Sequence, residues 1–195
     1  MLRRLLVLSV FLSISLPGIV SANVDMQIGY RANFSLFHVD DEVIGMNRTF
    51  LVQPFNVFST GEIRRDLFWT SDLSWKPIKT STASGGIAQK IAVAEIDFGL
   101  DYQWRLSRQF KPRLGVGVGY TNSRYSNRYT TDPDGFLLDR YDDDNKNNFL
   151  VYLNASHYWT ISREWALGAN LRGTLPFNFT AINDTSIGLS GLYHF

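Results

Sequence analysis

Apolar and polar residues alternate along most of this chain. From Met26 to His38 the even positions are Met26, Ile28, Tyr30, Ala32, Phe34 and Leu36, and the odd ones are Gln27, Gly29, Arg31, Asn33, Ser35 and Phe37. A period of two gives a β-strand one apolar and one polar face. The pattern recurs with Leu67, Trp69, Leu73 and Trp75 set against Asp66, Thr70, Asp72 and Ser74. It recurs again in runs near residues 92–106, 113–120, 149–160, 165–175 and 187–195. With the run from about Met46 to Phe58 these make eight strands. That second run is mixed on both faces and contains Pro54, so its direction is left open. Most runs are about 10 to 16 residues long. Ordinary strands have about 5 or 6, whereas strands crossing a bilayer at a tilt take roughly 9–11.

Short joints fall at Ser59–Ile63, Ser107–Lys111 and Ser162–Glu164, and longer ones at about 38–46, 76–90, 121–148 and 176–184. Short and long joints alternate, as they do between the periplasmic turns and external loops of outer-membrane barrels. Aromatics sort by height on the apolar face. Trp104, Trp159, Trp165, Tyr193 and Phe195 fall near the short turns, and Trp75, Tyr120, Phe149 and Phe177 near the long loops. The residues between are read as Ala, Val, Leu and Ile. Two aromatic rings around an aliphatic belt match two membrane interfaces. The polar face then lines a lumen, where Gly115, Gly117 and Gly119 leave room for long side chains opposite. The fold class that follows is all-β: an eight-stranded antiparallel up-and-down transmembrane β-barrel. The competing architecture is a soluble secreted barrel, in which the apolar face is a dry core.

The first residues carry a different signal. Arg3 and Arg4 precede the apolar stretch Leu5–Leu16, and Val20-Ser21-Ala22 supplies small residues for a signal peptidase. The expected division is a signal peptide over 1–22 and a barrel domain over 23–195, delivered to the cell outer membrane. Losing the two arginines leaves 17 basic against 18 acidic residues. That balance argues against nucleic acid as a partner. The absence of cysteine excludes disulfides and thiolate chemistry, and 14 Phe, 9 Tyr and 5 Trp exclude a disordered chain.

With these features the chain resembles the small eight-stranded outer-membrane barrels of the OmpA, OmpX and opacity type. The ending Leu189-Ser190-Gly191-Leu192-Tyr193-His194-Phe195 is similar to the signal such families present to the barrel-assembly machinery, carried by Leu189, Tyr193 and Phe195. The stretch Leu100–Tyr120 resembles a hairpin of the group. The resemblance implies a monomer without cofactor or metal, surrounded by outer-membrane lipids and lipopolysaccharide. Loops 38–46, 76–90 and 121–148 would meet an extracellular protein or other surface ligand.

The candidate site is the charge on the polar face. Arg31, Asp101 and Arg172 are expected at similar heights, with Glu95 and Asp97 above and Arg105 and Arg113 below. Buried charges must be paired, so these residues predict a luminal network. It would plug an eight-stranded barrel, whose interior is just wide enough for side chains, or gate a narrow pore. A lipid A-modifying acyl hydrolase or transferase is the enzymatic alternative. Ser156-His157-Tyr158-Trp159 lies where the deacylase family has His-Tyr-Ser-Asn, but Trp159 replaces the serine two residues after His157, and His157 reads instead as a member of the lower aromatic ring. Asp132, Asp134, Asp139 and Asp142–Asp144 lack EF-hand spacing and read as a solvated loop. Five Asn-x-Ser/Thr triplets occur, such as Asn33-Phe34-Ser35, and because several fall within strands they read as chance.

Overall fold

The structure is a computed structural model that describes residues 26–80, 86–107, 109–177 and 184–195. The expected signal peptide lies outside the described residues. Ten strands are present among the described residues: β1 (Met26–Asp41), β2 (Met46–Val52), β3 (Phe55–Arg64), β4 (Leu67–Thr80), β5 (Gly86–Gln103), β6 (Arg113–Thr131), β7 (Leu137–Tyr141), β8 (Asp144–Thr160), β9 (Trp165–Pro176) and β10 (Asp184–His194). All pair antiparallel in one sheet, and β10 closes onto β1 from Gln27↔His194 to Phe37↔Asp184.

The wall has eight strands because β2 and β3 are two halves of one. Ala32 pairs with Phe55 and Ser35 with Val52, so the register against β1 is unchanged across the gap. The gap is Gln53-Pro54, and proline has no N–H to give the ladder. The direction left open in this run is now fixed. Met46, Val52, Asn56, Phe58 and Thr60 are buried inside, while Leu51 and Phe55 face out. The remaining strand, β7, rides on the upper part of β6.

Four expected joints are corrected. The turn between β3 and β4 is Arg65-Asp66 rather than Ser59–Ile63. Asp66 has φ 68°, and the Glu62 carboxylate accepts its N–H at 3.0 Å. The expected loops 76–90 and 121–148 are largely strand, because β4, β5, β6 and β8 run through them with β7 added. In 38–46 only Glu42–Gly45 is turn. The reason is a change of solvent. Within the bilayer the outer face meets lipid, but beyond it both solvent-facing surfaces are wet, and apolar residues turn inward. Along β5, Ile91 and Val93 point in with Lys90 outside, whereas Glu95 and Asp97 point in with Ile96 outside. The phase of the alternation inverts, and the sequence pattern reads as lost.

The inverted segments make a core of their own. Phe37, Val39, Ile44, Met46 and Val52, from the β1–β2 hairpin, pack against Ile78, Ile91, Val93 and Tyr125 of β4, β5 and β6. Burial pushes the Tyr125 phenol up to about 12. At the opposite end, Phe58, Ala166 and Leu192 with Tyr158 fill the base of the lumen. Between the two, glycines set the clearance. A Cβ on Gly115 or Gly119 would meet Asp101 or Asp97, and one on Gly117 would meet the Tyr152 ring and the Phe98 carbonyl. Overpacking of this kind costs roughly 1–3 kcal/mol. Gly117→Val is therefore expected to lower unfolding stability by about 2 kcal/mol or more in urea titrations followed by tryptophan fluorescence. Gly173→Ala, where nothing lies within 4 Å of the added carbon, leaves stability unchanged.

Candidate functional site

The lumen is crossed by a ladder of buried ion pairs. Arg31 on β1 bonds Asp72 on β4 and lies over the Phe58 ring, 3.8 Å from its centroid. Arg172 on β9 reaches across to β5, with Nη2 2.8 Å from Glu95 and 2.6 Å from Asp97, while Nη1 is 3.9 Å from Asp72. The same guanidinium stacks on Tyr152 at 4.0 Å. Lys76 on β4 donates to Glu95 at 2.6 Å and also to Asp184 on β10, whose other oxygen accepts a hydrogen bond from the Ser35 hydroxyl. Inward parity on five strands delivers these groups, and the low surrounding dielectric strengthens each attraction while penalising any unpaired charge.

Of the residues expected from the sequence, Arg31, Glu95, Asp97 and Arg172 come together here. Asp101 lies lower, accepts from Asn154 at 3.5 Å and makes no ion pair among the described residues. Arg113 is also buried, but it stacks 3.5 Å from the Phe68 centroid and donates to Gln103 at 3.3 Å rather than meeting a carboxylate. Arg105 is a correction. It stands beyond the end of β5, where Nε bonds Asp66 at 2.5 Å, and its side chain is 47% exposed. Leaving the strand freed it from the lumen. Asp72 stood on the expected polar face, while Lys76 and Asp184 were passed over because their segments read as loop. A second pair was missed for the same reason: Arg128 on β6 clamps Asp41 on β1 with two bonds of 2.9 Å.

The outward face carries the aromatic rings. Trp75, Tyr120, Phe149 and Phe177 are exposed near the long-loop end, and Tyr120 packs on Phe149 at 5.4 Å. Phe55, directly opposite Trp75, extends that ring. Trp104, Trp159, Trp165 and Phe195 are exposed at the other end, where Tyr193 lies 5.0 Å from Trp165. The belt between is not purely aliphatic, because Tyr30 and Phe98 also face out. His157 points outward and is buried between the rings of Phe110 and Trp159, at 4.9 and 4.5 Å. Neither ring nitrogen has a hydrogen-bond partner among the described residues, so it forms no nucleophile–base pair. In the long external hairpin Asp132 is used locally, its carboxylate accepting the N–H groups of Asp134 and Phe136 to shape the turn.

A closed antiparallel wall with a polar, ion-paired inside and an exposed apolar belt inverts the soluble pattern. Solved structures share this architecture. Neisserial surface protein A superposes with a TM-score of 0.58 at 11% identity, covering 89% of this chain and 98% of that one. Ail, the attachment invasion locus protein of Yersinia pestis, gives 0.54 at 10% identity over 88% and 97%. Its complex with the heparin analogue sucrose octasulfate gives 0.53 at 12% identity over the same shares. The fold is that of the small outer-membrane β-barrels. The exposed belt with its two aromatic rings seats such a barrel in the outer membrane. No family model and no curated protein matches the chain.

The outer-membrane barrel therefore rests on its ladder. Arg172→Met, which strands Asp97 and leaves Glu95 to Lys76 alone, is expected to cost roughly 3–5 kcal/mol of unfolding free energy in lipid vesicles. Arg105→Ala, at an exposed pair, costs about 1 kcal/mol or less.

Proposed function

We propose that this barrel is a non-catalytic surface protein that holds an ordered external platform for contact with an extracellular partner. The observation carrying this reading is the external core. The wall strands do not stop at the upper aromatic ring but continue into hairpins that bury Val39, Met46, Ile91 and Tyr125 against one another. The Asp41–Arg128 clamp ties the β1–β2 hairpin to β6 above them. Loops that only joined membrane strands would have no use for a hydrophobic core. On the outside of this platform Phe136 is 72% exposed, with Val43, Leu137 and Leu138 similarly bare. Apolar residues exposed together on a water-facing surface mark interaction sites. Arg140 and Tyr141 flank them, and Arg and Tyr are enriched in protein interfaces. A cleft of about 370 Å³ opens beside the platform, lined by Val39, Tyr125 and Lys146 with Glu95 and Asp184 below. Ail, an attachment invasion locus protein of the same fold, supports the reading by analogy.

The lipid A-modifying alternative loses its motivation with His157 enclosed between two rings. The narrow-pore alternative has to pass the ion-pair ladder, the Tyr152 side chain and two apolar plugs. Planar bilayers holding the purified barrel are expected to show no discrete conductance steps.

Adhesion provides the direct test. Bacteria carrying the barrel are expected to bind immobilised host-surface proteins or cultured cells above the level of a strain lacking it. Replacing Phe136, Leu137 and Leu138 by serine should return binding to that background while the heat-shifted gel band of the folded barrel persists. Unchanged adhesion in both comparisons would remove the reading.

A further inference from the structure

One sector of the outer surface, just above the upper aromatic ring, is basic. Lys79 on β4 pairs directly with Lys90 on β5, and both side chains are exposed. Arg124 on β6 pairs with Ala92, one outward step below Lys90, and is 71% exposed. Directly opposed side chains in a sheet are about 5 Å apart at Cβ and diagonal ones roughly 7–8 Å. Two lysines facing each other across a ladder repel, and such pairs destabilise a sheet unless an anion sits between them. The outward positions of these three segments, from Trp75 to Lys79, Lys90 to Ala94 and Tyr120 to Ser126, contain no carboxylate. The nearest acid to Arg124 among its ion-pair partners is Asp143, 4.0 Å away on the joint between β7 and β8. At similar height on the β1–β2 side the outward residues are His38, Asp40, Asn47 and Thr49, and the exposed cation there, Arg48, stands alone between the last two, so two directly opposed lysines with an arginine beside them belong to the β4–β6 sector.

Height identifies the occupant. Lys79 is four residues above Trp75, and Arg124 four above Tyr120. At about 2.5 Å of rise per residue in a tilted strand the cations stand roughly 10 Å above the ring, at the level of lipid headgroups. This is the long-loop end, so the leaflet is the outer one. Beneath the cations β5 turns only Ala92 and Ala94 outward, small residues flanked by Trp75 and Tyr120. That leaves space for a bulky headgroup close to the wall. Lysines supply compact point charges and arginine a fork matched to phosphate oxygens.

We propose that Lys79, Lys90 and Arg124 form a docking site for the phosphate groups of an outer-leaflet glycolipid of the lipid A type. The lipid's acyl chains lie against the apolar belt below, and its phosphates neutralise the opposed lysines. The site is separate from the external platform and holds whether or not the platform binds a partner.

The test uses the purified, folded barrel in detergent, titrated with bisphosphorylated lipid A and followed by native mass spectrometry. Wild-type protein is expected to bind saturably. Each basic residue near an anionic membrane surface contributes about 1 kcal/mol, so K79E/K90E should weaken binding at least about 10-fold. N47E/T49E, which adds the same charges on the other side, should leave it unchanged. If K79E/K90E loses the heat-shifted band, K79A/K90A carries the comparison, with a loss of at least about 3-fold expected. Equal affinity for fully dephosphorylated lipid A would overturn the proposal. So would equal weakening by N47E/T49E, which would make the effect one of net charge. Displacement of the lipid by millimolar inorganic phosphate would reassign the cations to a free anion.

Discussion

Inside a bilayer every backbone N–H and C=O has to find its partner within the protein, and this requirement shapes the whole molecule. It is met by closing β10 onto β1 over eleven residue pairs. Closure with eight strands leaves a lumen too narrow for bulk water yet lined by the polar half of every strand. The interior must then be filled and its charges paired, which produces the ladder from Arg31 through Arg172 to Lys76. The interruption at Gln53-Pro54 respects the same rule. It lies beside Phe55, level with Trp75 in the upper aromatic ring, where the wall is leaving the hydrocarbon and water can reach the orphaned groups.

The second organising fact is that one strand serves two solvents. Below the upper ring the apolar face is outside. Above it the apolar face is inside, around Val39, Ile91 and Tyr125. The barrel wall also divides there, because β2 no longer pairs with β4. What holds the β1–β2 hairpin to the rest is side-chain packing and the Asp41–Arg128 clamp, not a continuous ladder. An external face held in this way is packed on its inside without being closed, and a cleft lies beside it.

The buried ladder has a different energetic character from the external core. Desolvation offsets much of what each ion pair gains, so the ladder is weak evidence for stability as such. Its strength lies in the penalty for breaking it. Arg172 serves three carboxylates, and Glu95 is shared with Lys76, so no member can leave without exposing another. Such sharing also fixes which strands face each other across the lumen.

The membrane-spanning half of the molecule was legible in the sequence because lipid outside and ion pairs inside impose opposite demands on alternate residues. Arg31, Glu95, Asp97 and Arg172 could be placed in the lumen by parity alone, and the aromatic rings by height. Parity gives a face but no partner. Only the fold put Arg172 beside Glu95 and Asp97, sent Arg113 onto Phe68, and left Arg105 outside with Asp66. The upper half was illegible for a physical reason. Where water replaces lipid, the inward face becomes the apolar one, and a strand such as β5 changes phase between Val93 and Glu95 without a break in the chain. Residues such as Lys76, Asp184 and Arg128 fell in or beside those stretches. Sequence determined the wall, the belt and the charged face; the tertiary structure decided which charges meet, because that depends on the stagger of strands distant in the chain.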